Sequence, residues 1–99
     1  MIKIKIVGIR QTVYKDLIEE LENKIAIPCE MELNKEYISY NLEKPEGFCD
    51  SAWETLTPFI IALAKKEEIY EGWMKDKNKA LVSCNDGFRP MSFLLERIK

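Results

Sequence analysis

The chain holds three cysteines, Cys29, Cys49 and Cys84, and no histidine. Thiolates are therefore its only strong soft nucleophiles and soft metal ligands. Without an imidazole no Ser–His or Cys–His pair can form, which argues against conventional acyl-transfer hydrolysis within one chain. Each cysteine falls at or near the expected end of a regular element. Cys49 precedes Asp50 and Ser51 at a helix start, where unpaired amides favour negative charge and a reactive thiol. Cys29 alternates with Met31 and Leu33, and Cys84 with Ala80 and Val82, so both also read simply as small buried hydrophobes.

If all three sulfurs met, they could hold a metal ion or an iron-sulfur cluster, or act as a redox thiol. The spacing contains no Cys-x-x-Cys pair and is a weak signal by itself. Closed zinc sites want a full tetrahedron of Cys or His, one ligand more than this chain offers. A site built on all three would need Asp50, Asp86, water, substrate or a second subunit in the remaining position. Asp50, Asp86, Arg89 and Trp53 are the candidates to surround it. Arg89 could pair with Asp86 across its turn, or offer a fork to a small anionic ligand. Trp53 reads most simply as core. No glycine-rich phosphate loop occurs, because the four glycines are scattered.

The elements that must position these residues follow from periodicity. Residues 2–7 alternate Ile2, Ile4 and Ile6 with Lys3 and Lys5, the pattern of a half-buried strand. Tyr14, Leu17, Ile18 and Leu21 share a helical stripe over 14–23. Residues 29–33 alternate as a second strand and 37–40 as a third. Ser51 with Glu54 reads as a capping box opening a helix over 51–66, kinked at Pro58, with Trp53, Leu56, Ile60 and Leu63 on its stripe. A charged connection over 67–78 carries Trp73. Strands at 79–84 and 90–98, joined by a tight turn at Asn85-Asp86-Gly87, close the chain. The expected fold is α+β in the order β-α-β-β-α-β-β. Two helices pack on a mainly antiparallel sheet of four or five strands, in a single domain over 1–99.

Composition excludes several partners. Fifteen basic and 17 acidic side chains leave a net charge of −2. There is no basic footprint for nucleic acid and no polybasic patch for a membrane surface. The longest apolar run, Phe59 to Ala64, is too short to span a bilayer. No leader precedes the first strand and the cysteine count is odd, so the expectation is a reducing cytoplasm. Tyr37, Tyr40, Trp73, Phe88 and Phe93 are a surplus of large apolar groups on a small chain. They leave open a non-catalytic homo-oligomer or partner-binding module in which the cysteines merely pack.

Two stretches are distinctive: Pro45, Gly47, Cys49, Ala52 and Trp53, then Cys84, Asp86, Gly87, Arg89, Pro90 and Phe93. They resemble the Pro-x-Gly-x-Cys-x-x-Ala-Trp and Cys-x-Asp-Gly-x-Arg-Pro motifs of a widespread prokaryotic family of small proteins without an assigned activity, in which an earlier cysteine, here Cys29, also occurs. Many relatives carry Gly and Asp before the third strand, where this chain has Asn34-Lys35-Glu36. The resemblance implies that the three cysteines belong to one recurring arrangement.

Overall fold

The computed structural model of the chain describes residues 1–24 and 31–98. Its first strand, β1 (Lys3–Gln11), follows directly from the Ile/Lys alternation: Ile4, Ile6 and Gly8 are buried and their neighbours are not. Helix α1 (Lys15–Leu21) comes next, then β2 (Glu36–Tyr40), helix α2 (Asp50–Ala64), β3 (Lys79–Ser83) and β4 (Met91–Ile98). The strands form one antiparallel sheet in the order β2-β1-β4-β3, with a register shift in β1 between Gly8 and Arg10.

Helix α2 covers one face of this sheet. Ala52, Leu56, Ile60 and Leu63 recur at helical spacing on its buried stripe and meet Ile4, Ile6, Ala80, Phe93 and Leu95. Pro58 lies inside the helix, as expected, and Arg97 donates to the carbonyls of Leu63 (3.2 Å) and Ala64 at its C-terminus. Beyond that end Lys66 adopts φ 60°, and the amides of Lys66 and Glu67 return to the carbonyls of Leu63 and Ala62, a Schellman stop. On the opposite face Lys5 meets Glu96 at 3.3 Å and Glu36 at 3.8 Å. No helix among the described residues is long and apolar enough to cross a membrane.

Several expectations change. The alternation over 29–33 makes no strand in its described part. Met31 and Glu32 lie in no regular element, and Leu33–Asn34 turn, with Asn34 at φ 64° donating its amide to the Gly8 carbonyl at 2.8 Å. That turn stops an extended run before it can pair. Among the described residues the sheet therefore has four strands; Cys29 and Glu30 lie outside them. The stripe on α1 is not core either: the helix buries none of its residues, and Leu17 and Leu21 face solvent. It is fixed instead at its ends, where Tyr14 donates to the Phe88 carbonyl and Glu22 meets Arg89.

A thiol-lined cleft between the α2 start and the β3–β4 loop

The chain enters α2 through a hydrophobic staple rather than a capping box. Phe48, buried, precedes Cys49 at the N-cap, and its ring meets Trp53 one turn on at 6.2 Å, Tyr37 at 5.0 Å and Phe93 at 5.5 Å. The Cys49 carbonyl accepts the first helical bond from the Trp53 amide at 2.9 Å. Its thiol makes no cap bond, which leaves the sulfur free of the role that Ser or Asp usually plays there. Ser51, the expected cap, already lies in the first turn. Its hydroxyl donates to Asn85 Oδ1 at 2.7 Å, and Asn85 Nδ2 donates back to the Ser51 carbonyl at 3.3 Å. A tertiary partner thus takes the hydroxyl that a local cap would have used.

Cys84 sits just past β3. Its amide donates to the Met91 carbonyl at 3.0 Å and its Sγ accepts from the Met91 amide at 3.3 Å. The connection from 84 to 90 is broader than a tight Asp-Gly turn. Asp86 Oδ1 accepts from the amides of Phe88 (2.8 Å) and Arg89 (3.1 Å), and Thr12 donates to the Pro90 carbonyl. The carboxylate is spent on holding this loop open.

Between these two connections lies a cleft of about 590 Å³. Cys49 and Cys84, both half-buried, line it together with Ser51, Asn85, Asp86 and Arg89. Met31, Met91, Tyr37, Phe93 and Ala52 supply its apolar wall, and Glu32, Lys35 and Gly47 its rim. The Ser51–Asn85 pair clamps the helix start against the loop and so holds the two cysteine-bearing segments together. Cys29 lies outside the described residues, four positions short of Leu33 and two short of Met31 on the cleft wall. Among the described residues no group of three His, Cys, Asp or Glu side chains is arranged to hold a metal ion.

The remaining candidates have other occupations. Arg89 does not pair through its side chain with Asp86. Its guanidinium forks onto Glu22, with bonds of 2.7 and 2.8 Å to the two carboxylate oxygens. That bond holds the Glu22 carboxyl below its ordinary range and raises the Arg89 guanidinium above its own. A fork already closed on an internal carboxylate has little left for a small anion. Asp50 is exposed and pairs with Lys44, outside the cleft lining; Trp53 packs against Phe48 and the core.

Periodicity could not point to Ser51 and Asn85 as partners, nor to Glu22 as the partner of Arg89 67 positions away. The staple of Phe48 and Trp53 was legible as an aromatic pair five residues apart around a helix start. Met31 and Met91 carried only the signal of apolar residues beside cysteines. Comparison of the chain with models of known protein families, with curated proteins and with solved structures finds no match.

Proposed function

We propose that this is a small thiol-site protein, in which Cys49 and Cys84 present soft ligands to one cleft and Cys29 joins them from the adjoining segment to bind a metal ion or cluster. The observation that carries this reading is that two thiols far apart in sequence, on different elements, line one cavity while neither is fully buried. Structural cysteines are usually sealed in the core. The Cys49 sulfur is not needed to complete its element, since the backbone alone makes the first bond of α2, whereas the Cys84 sulfur takes one hydrogen bond from the Met91 amide. The reading carries with it membership of the small-protein family that the two motifs resemble, and a reducing, cytoplasmic setting that keeps the thiols free.

The test is anaerobic purification of the reduced protein, followed by metal analysis and titration of the native chain and its Cys29→Ser, Cys49→Ser and Cys84→Ser variants. The expected result is one bound metal or cluster per chain, weakened by each substitution. A protein that takes up no zinc, iron or copper, and whose thiols react as free cysteine does, refutes it. A second reading, a non-catalytic oligomerising module, has its own observation: Tyr70 and Trp73 are exposed, with Tyr70 edge-on to Trp73 and Trp73 against Phe59. Light scattering that finds a strict monomer removes that support.

A further inference from the structure

Resting on the thiol-site reading, we propose that the ligand set of the cleft includes the thioethers of Met31 and Met91, and that the site is built for monovalent copper, Cu(I), rather than zinc. Six sulfur-bearing side chains are described, and four of them, Met31, Cys49, Cys84 and Met91, line this one cavity. The exceptions are Met1 at the exposed terminus and Met74 beside Trp73. Apolar packing alone would as readily have chosen Leu or Ile for the wall. A wall made of thiols and thioethers is the donor set that soft monovalent ions select.

The backbone holds two of these residues side by side. Met91 donates its amide to the Cys84 sulfur at 3.3 Å, so a thioether residue and a thiol residue are hydrogen-bonded neighbours at the mouth of the hairpin. Its own sulfur lies against Gly8, where a Cβ would stand only 2.5 Å from Sδ; the missing side chain makes room for it. Met31 reaches the cleft from the other side, with its sulfur 4.0 Å from the Tyr37 hydroxyl.

Three of the nearby carboxylates are committed elsewhere. Asp86 holds two loop amides, Glu22 holds Arg89, and Asp50 pairs with Lys44 outside the cleft. With no histidine in the chain, borderline nitrogen donors are absent as well. Apart from Glu32 at the rim, what remains is mainly sulfur, and Cu(I) accepts two or three sulfur donors where zinc demands a full tetrahedron.

The test is anaerobic titration of the reduced full chain with Cu(I) against bicinchoninate, and with Zn(II) against a chromophoric chelator. Native protein is compared with Met31→Leu, Met91→Leu, Cys49→Ser and Cys84→Ser. Removing a thioether ligand should weaken Cu(I) at least about tenfold, as much as loss of an outer partner costs a metal site, and should leave the zinc affinity unmoved. Met91 is buried, so its variant could fail to fold. Copper-edge X-ray absorption of selenomethionine-labelled protein gives an independent readout, in which a selenium neighbour of the copper is expected. Unchanged Cu(I) affinity in the methionine variants together with no selenium neighbour overturns the thioether proposal, while loss of binding in the serine variants would still uphold the thiol site. Cu(I) binding unaffected by either serine substitution overturns both.

Discussion

Replacing Cys49 by serine should stabilise the protein. Cys49 occupies the N-cap of α2 with φ −61° and ψ 124°, the extended geometry in which a serine oxygen reaches the amides of the first turn. The thiol makes no such bond, so those amides lack a side-chain acceptor. Supplying one is worth about 1 kcal/mol. Against this stands the apolar contact of a half-buried sulfur with the core, about half of the ~0.8 kcal/mol that a buried methylene contributes. The net is a gain of roughly 0.5 kcal/mol, a rise in Tm of about 2–4 °C for a domain of this size. Cys49→Asp should gain more, because a carboxylate also meets the positive end of the helix. Cys84→Ser should gain nothing, since that sulfur already accepts the Met91 amide and a serine oxygen merely takes its place. Thermal and urea melts of the reduced, metal-free proteins measure all three. If both Cys49 variants lose about 1 kcal/mol or more, the sulfur is there for packing and is part of what holds the fold.

The Ser51–Asn85 clamp is exposed, so Ser51→Ala and Asn85→Ala leave their partners to water. A double-mutant cycle in urea should give a coupling energy of about 0.5–1 kcal/mol, whereas additivity within about 0.3 kcal/mol would deny the clamp. Leu56, fully buried between α2 and the sheet, should cost about 3 kcal/mol on truncation to alanine, read as a lower urea midpoint at constant slope. Because Arg89 lowers the Glu22 pKa, the stabilisation from this pair is complete above the ordinary glutamate value near 4.5 and is lost as pH falls through the depressed native value. Glu22→Gln should therefore be less stable than native protein at neutral pH and converge with it in acid, as followed by urea midpoints down the pH scale. Gly8→Ala drives a Cβ into Met91 Sδ and should cost about 1–3 kcal/mol. The same variant should weaken Cu(I) binding, measured by chelator competition.

The parts of the fold that the sequence foretold are those in which one local rule decides. The Ile/Lys alternation of β1 and the Leu56, Ile60 and Leu63 stripe of α2 each bury one face, and each is present, although the stripe read from Trp53 buries Ala52 in its place. The misread parts are those where a long-range partner competes with a local rule. Ser51 satisfied the capping-box spacing with Glu54, yet its hydroxyl bonds Asn85, and no sequence spacing announces that the β3–β4 loop will arrive there. Asp86-Gly87 carried a tight-turn signal, but the carboxylate caps two amides further on and the loop runs from 84 to 90. Leu17 and Leu21 had helical spacing, but a stripe is buried only if another surface covers it, and among the described residues none does.

The same competition bears on why the cysteines stand where they do. Local consistency would place Ser or Asp at position 49 and a strand former at 84, and sequences depart from such preferences chiefly where function holds the position. At Cys49 the backbone builds its element unaided, its carbonyl opening the helix, and at Cys84 the amide and the sulfur both bond Met91. The clamp between Ser51 and Asn85 then spends polar groups on joining these two points, although the core beneath is already sealed by Phe48, Ala52 and Phe93. A clamp that adds little to a closed core, yet fixes the separation of two sulfur-bearing segments, is what a preorganised ligand site requires. Its loss should therefore be felt more in metal affinity than in stability. A Ser51→Ala, Asn85→Ala double variant that binds as tightly as the native chain would show that the sulfurs need no such support.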